Sequence, residues 1–240
     1  TARRYFHEFG STHDDLVHVS VKNHMHGFEN EAAHLRKQVS FEKAQSGFMV
    51  ADPLTLYDCC PTSDGASAVI LVADHLAHKF TDTPVWVKGS GAGSDHLALH
   101  DRPSITQLRA TQSAAVKAYK TAGISASDVD LAEVHDCFTI AEVLATEDLG
   151  FAGRGLGGSF AREGEGRRNE GSVTINASGG LKSKGHPLGA TGTGQAVEIF
   201  KQLRHQVEPE RQVRDAEIGL THNVGGSGAT CAVHVFGRQR

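Results

Sequence analysis

The sequence predicts an α/β layered fold, a mixed β-sheet with helices on both faces. Three observations predict it. Short apolar runs alternate with segments of helical period from Val85 onward, glycines close several of those segments, and the last two apolar runs are joined only by a glycine-rich turn, as in an antiparallel pair.

The elements follow in order. Arg3 to Gly10 reads as a helix end, and Ser11-Thr12-His13-Asp14-Asp15 as an N-cap with an acidic first turn, opening a short helix from Asp15 to Val21. From Asn23 to Ala51 no clean period appears, which suggests an excursion off the main sheet. Ala68 to Ala73 suits a strand buried on both faces. A polar stretch from Asp74 to Thr83 leads to Pro84, and Val85-Trp86-Val87 starts a new strand. The domain boundary is placed there, giving units 1–84 and 85–240. Thr111 to Ala122 is a helix with Gly123 as its C-cap, Val129 to Val134 a strand, and Thr139 to Leu149 a helix closed by Gly150. Gly153 to Arg168 reads as a loop, Ser172 to Asn176 as a strand, Gly194 to Leu203 as a helix, and Ile218 to Thr221 and Cys231 to Phe236 as closing strands.

Composition narrows the function classes. With 240 residues, 39% hydrophobic and a formal charge of −4, the chain is expected to be a soluble globular protein. Its 24 basic and 28 acidic residues are interspersed, which argues against nucleic-acid binding. No apolar run reaches the roughly 18 residues of a membrane helix. The four cysteines, Cys59, Cys60, Cys137 and Cys231, fit no disulfide or zinc spacing, so a reducing, cytoplasmic setting and no metal are expected. His24 and His26, among 15 histidines, are expected to be loop residues. The start, Thr1 to Phe6, carries neither a signal pattern nor an initiator Met, and the expectation is that the chain begins within a longer protein.

Ligands of open α/β sheets gather outside the carboxyl ends of strands. Three segments there carry reactive groups: His135-Asp136-Cys137-Phe138, Asn176 to Gly192 (NASGGLKSKGHPLGATG), and His222-Asn223-Val224-Gly225-Gly226. Each pairs a titratable side chain with, or places it near, glycines that let backbone N–H groups approach a ligand. One cysteine and two histidines at successive strand ends suit the proton transfers of acyl chemistry.

The 176–192 segment resembles the Gly-His-Pro block of thiolases. HDCF at 135–138 is similar to the form in the sterol-carrier-protein and archaeal branches, the stretch Asp58 to Ala66 resembles the pantetheine-binding wall of the same branches, and HNVGGSG at 222–228 occupies the place of a Cys-Xaa-Gly motif. The resemblance implies a thiolase-like layered fold with an incomplete N-terminal half, and a Claisen condensation or thiolysis of 3-ketoacyl-CoA through an acyl-cysteine. It implies no cofactor, with coenzyme A or acyl-CoA as substrate. In that picture His186 activates the nucleophile and polarises the thioester. Cys137, with a lowered pKa, is the second acid/base, and His222 stands where the usual second cysteine would be. His135 offers an N–H to an oxyanion, and backbone N–H groups of Val224, Gly225 and Gly226 serve another. Cys60 stands at a CoA-contacting position, and Ser183 is assigned to the CoA side while also shaping the loop. The nucleophilic cysteine of the family matches none of the four here, so the chain alone is expected to be inactive. The resemblance also implies self-association as a dimer or tetramer, with a partner chain as one source of the nucleophile. A non-catalytic acyl-CoA-binding or scaffold subunit and an aldolase-type relative stay open as alternatives.

Overall fold

The computed structural model describes residues 1–240. Two helices open the chain, α1 (Ala2–Phe9) and α2 (His13–Phe28). Gly10, left-handed at φ 69°, ends the first, a position that favours a residue without Cβ. The second starts on a capping box in which the Asp15 carboxylate accepts the Thr12 N–H at 3.1 Å.

Helix α2 runs on past the expected end at Val21, and its added turns carry Lys22, Asn23, His24 and His26, all buried. No apolar period marks these turns because their inward face is polar. Apart from Asn23 Oδ1, the buried polar groups meet fixed partners: Lys22 Nζ donates to the Ile175 carbonyl at 2.9 Å and pairs with Glu142 at 2.9 Å. His26 Nδ1 lies 3.0 Å from the Asn176 carbonyl, and its Nε2 accepts the Arg168 N–H at 3.2 Å. The expectation of loop histidines is therefore corrected: main-chain partners make a buried helical position affordable for His24 and His26. After α2 come a short helix, α3 (Phe41–Gln45), and a two-stranded antiparallel pair, β1 (Met49–Ala51) and β2 (Leu54–Thr55), both off the main sheet.

Ala68 to Ala73 forms no strand, a second correction. Ile70 is 89% exposed and Leu71 77%, and no strand pairs with the run. A continuous apolar run reports the capacity to be a buried strand, but the fold must also supply a neighbour with free N–H and C=O groups.

The main sheet comprises β3 (Trp86–Ser94), β4 (Leu131–Glu133), β5 (Thr174–Ile175), β6 (Ile218–Gly225) and β7 (Thr230–Gly237), in the order β3-β7-β6-β4-β5. The pairs β3/β7 and β7/β6 are antiparallel, whereas β6/β4 and β4/β5 are parallel. Around it lie α4 (Arg109–Ala122), α5 (Thr139–Asp148), α6 (Gly157–Glu163), α7 (Gly180–Ser183) and α8 (Thr191–Leu203). Ala132, Val233 and Val235 pack with the alanines of α4, while Leu131, one residue from Ala132, packs with Ile199 and Leu203 of α8. Successive strand residues face opposite sides, so the sheet carries helices on both faces.

Strand β3, expected to start at Val85-Trp86-Val87, runs on through Gly89, Gly91 and Gly93. A Cβ on any of the three would collide with the carbonyl oxygen of Ala118, Ala114 or Ala110 respectively. Two strand residues advance about 6.8 Å and four helix residues about 6 Å, so the glycine and alanine rows stay in step as α4 lies against the strand. Helix α6 replaces part of the loop expected over 153–168. It is short and begins Gly157-Gly158, which hides its period, but the Glu147 carboxylate accepts the Gly157 N–H at 2.9 Å and Phe160 enters the core. No helix is long and apolar enough to cross a membrane.

Candidate active site

Parallel pairing of β4 with β5 and β6 brings the segments after Glu133 and after Ile175, and the far half of β6, to one end of the sheet. A cleft of about 670 Å³ opens there, lined by His135, Cys137, His186, Val224, Gly225 and Gly226 among others. A larger cleft of about 1020 Å³ lies alongside, lined by groups such as His34, Lys184 and Lys201, but it contains none of those six. The smaller cleft is the candidate site, because it is apolar with a few convergent polar groups.

Local chemistry ties the loops together. Asn176, left-handed at φ 57°, accepts the Val134 N–H on its Oδ1 at 2.8 Å and donates from Nδ2 to Glu142 at 2.8 Å. The Asp136 carboxylate accepts the Leu181 N–H at 2.6 Å, the Lys182 N–H at 3.3 Å and Asn23 Nδ2–H at 2.8 Å. Gly180 makes this possible, since a Cβ there would strike the carboxylate. The segment around Cys60 braces both loops: its N–H donates to the Cys137 carbonyl at 3.0 Å, and Ser63 Oγ accepts the His186 N–H at 3.2 Å.

These contacts fix where the protons sit. The Thr191 hydroxyl donates to the Pro187 carbonyl at 3.0 Å, so at 2.7 Å it accepts from His186 Nδ1–H. His186 Nε2 is then a lone pair available as a base. Gln195 Nε2 donates to the His222 carbonyl at 3.1 Å, which turns its Oε1 toward Asn223 Nδ2 at 3.3 Å. Asn223 thus offers N–H to His135 Nδ1 at 3.4 Å, leaving His135 with Nε2–H as a donor. The His135 and His186 rings meet edge to face with centroids 5.0 Å apart.

Burial, reinforced by His186, pushes His135 down to about 4. Burial and then Lys184 lower His186 below its ordinary value. Both rings are neutral near pH 7, one a base and the other a neutral donor. Burial, with Cys60 and Asp136 adding to it, pushes Cys137 up to about 12, where a lowered pKa was expected. The thiol therefore holds its proton. Burial also raises Cys59, Cys60 and Cys231, so no cysteine of the chain is an activated thiolate.

Three predicted residues lie outside the cleft. His222 is fully buried behind it: its Nδ1 accepts the His135 N–H at 3.3 Å, so its Nε2–H donates to Thr111 Oγ at 2.9 Å. Burial, with His135 adding to it, pushes His222 down to about 3, so the imidazole braces His135 as a neutral ring. Ser183 is buried and donates to the Leu35 carbonyl at 2.8 Å, and Cys60 stands behind Cys137. The sequence analysis missed Thr191, Asn223 and Asp136. All three fall inside the strand-end segments singled out from the sequence, but only the folded chain shows what their side chains meet.

The family described as Thiolase C-terminal domain-like matches residues 91–238. The chain is 51% identical over 237 residues to an acetyl-CoA acetyltransferase of Methanothermobacter thermautotrophicus, covering 99% of this chain and 61% of that protein. It is 35% identical to sterol carrier protein 2 of Bos taurus, covering 95% of this chain and 42% of the relative. A solved Ltp2-ChsH2(DUF35) aldolase superposes with a TM-score of 0.88 at 25% identity, over 100% of this chain and 62% of that one. The chain thus spans about three-fifths of the length of the acetyltransferase it matches. It belongs to the thiolase family, in the branch of the archaeal acetyl-CoA acetyltransferases and sterol carrier protein 2.

Proposed function

We propose that this chain is the C-terminal part of a thiolase-type acyl-CoA acyltransferase whose nucleophilic cysteine comes from outside these 240 residues. The observation that carries this is the contents of one apolar cleft: a neutral imidazole with a free Nε2, a neutral imidazole N–H donor and a protonated thiol. In thiolysis, His186 Nε2 takes the proton of the nucleophilic cysteine supplied from outside the chain as its sulfur attacks the 3-keto carbonyl. The Cα–Cβ bond then breaks, and Cys137 gives its proton to the carbanion left beside the thioester. His135 Nε2–H donates to the thioester oxygen as charge develops there. Coenzyme A then takes the acyl group from that cysteine, its thiol proton passing to the Cys137 thiolate and the His186 proton returning to the leaving cysteine sulfur, and condensation runs these steps in reverse.

In the enzyme assembled from this chain and its nucleophile-bearing segment, Cys137→Ala and His186→Ala are each expected to lower CoA-dependent acetoacetyl-CoA cleavage by about 10²-fold or more, with CoA affinity kept within about twofold. The purified 240-residue chain is expected to show no turnover. Turnover by that chain alone would refute the reading.

A second reading follows from the absence of an activated thiolate and from the superposition on a protein titled an aldolase paired with a DUF35 chain. An aldolase would use the same base and donors with no acyl-enzyme, and a DUF35-type chain would be its partner. Trapping an acyl-cysteine by mass spectrometry separates the two.

A further inference from the structure

Once Cys137 has given its proton to a carbanion, a negative sulfur is left in a buried place. Cys60 and Asp136 both oppose that charge, and the rings of His135 and His186 are neutral. No lysine or arginine side chain lines the cleft. Compensation for the thiolate has to come from outside the cleft wall.

Lys182 stands behind that wall. Its side chain is buried, 1% exposed, and it enters no ion pair, unlike Lys22, which meets Glu142 at 2.9 Å. Its Nζ has one hydrogen-bond partner, the Cys59 carbonyl, to which it donates at 2.6 Å. That carbonyl belongs to the same peptide unit as the Cys60 N–H, which donates to the Cys137 carbonyl at 3.0 Å. The Cys137 carbonyl in turn shares a peptide unit with the Phe138 N–H, which donates to the Cys137 sulfur. Every bond in this string donates toward the sulfur, and both peptide dipoles have the same sense, so the bonds polarise one another. Burial lowers Lys182 below its ordinary value, while the Asp136 and Asp58 carboxylates and the Cys59 and Cys60 thiols that face it favour its charged form.

We propose that Lys182 is a positioning residue for Cys137: through the Cys59–Cys60 and Cys137–Phe138 peptide units it stabilises the thiolate left after proton transfer. The inference rests on the reading of Cys137 as the second acid/base, and it supplies the positive charge that this reading requires.

The test is the rate of iodoacetamide labelling at each cysteine of the 240-residue chain, resolved by peptide mass spectrometry. Between about pH 7.5 and pH 9 the rate at Cys137 follows its thiolate fraction. Lys182→Met is expected to slow Cys137 labelling by about threefold to tenfold, the size of a charge effect carried by aligned peptides. Lys182→Gln keeps a donor for the Cys59 carbonyl without the charge. It is expected to fall between the wild type and the methionine variant, and it serves if that variant misfolds. Misfolding shows as faster labelling of Cys231, which is 4% exposed in the core beneath α4. In the folded variants the Phe138 amide proton is expected to move upfield in NMR spectra as its bond to the sulfur weakens, although Lys182 makes no contact with it. Unchanged or faster Cys137 labelling in a folded variant, or a Phe138 amide that stays fixed, overturns the inference. Retained turnover by Cys137→Ala in the assembled enzyme would instead remove the acid/base reading beneath it, a result separate from any labelling rate.

Discussion

At the scale of single residues, the site works through proton placement more than through charge. Thr191 holds His186 in one tautomer and Asn223 holds His135 in another, while His222 braces the His135 main chain. Thr191→Val keeps the shape and removes the acceptor, so ¹⁵N shifts of His186 should change from a single Nδ1–H tautomer to a mixture. Turnover of the assembled enzyme should fall by about 10-fold to 100-fold, because part of the general-base contribution depends on that orientation. His222 gives a pH-dependent prediction with a definite sign. Its folded pKa, about 3, lies below the unfolded value near 6.5, so between those values the unfolded chain binds the extra proton. The buried neutral ring thus costs nothing above pH 6.5 and costs stability progressively below it. His222→Gln lacks this loss: relative to the wild type its stability should improve by about 2 kcal/mol between pH 7 and pH 5, measured by urea unfolding at the two values. A pH-independent difference would contradict the assignment of His222 as a buried neutral brace.

At the scale of elements, the contact of β3 with α4 is the most exacting in the molecule. Gly91→Val should destabilise by about 3 kcal/mol or prevent folding, because Ala114 main chain occupies the space its side chain needs. Gly189→Ala, with nothing within 4 Å of the new methyl, should change stability by no more than about 0.5 kcal/mol in the same denaturation assay. The elements legible in the sequence were those whose burial is apolar and whose ends are punctuated: α4 before Gly123, the strand ending near Val134, α5 before Gly150, and the strands leading to β7. Helix α2 was legible only to Val21, because beyond it the buried face is lysine, asparagine and histidine, and partners from residues 168–176 make that burial possible. The length of β3 was not legible because the reason for its glycines, the carbonyls of α4, is some 20 residues away in sequence. Ala68 to Ala73 was misjudged for the converse reason, since its apolar run is present and its neighbouring strand is not. The site was legible as three loops at strand ends, but the hydrogen bonds that assign tautomers, and the burial that raises the Cys137 pKa, exist only once α2, α5 and α8 are in place.

At the scale of the whole molecule, the exposed run at Val69 to Val72 and Phe80, which is 71% exposed, form an apolar surface unusual for a chain that stands alone. The 240-residue chain should therefore enhance the fluorescence of a hydrophobic dye and self-associate. Ile70→Ser should lower the dye signal while shifting unfolding stability by no more than about 0.5 kcal/mol. A segment carrying the nucleophile, added in trans, should suppress the signal if it covers this face. The reacting groups gather at one end of the sheet from the segments after β4 and β5 and the far half of β6, with no single element supplying them all, so their joint response to a ligand is what the functional account depends on. The most direct measurement is an NMR titration of the chain, labelled at histidine and cysteine, with acetyl-CoA. His135, His186 and Cys137 are expected to shift together along one binding curve while His24 and Cys231 stay fixed. Shifts of His186 and Cys137 that follow separate affinities, or no shift in either at ligand saturation, would contradict a common acyl-CoA site.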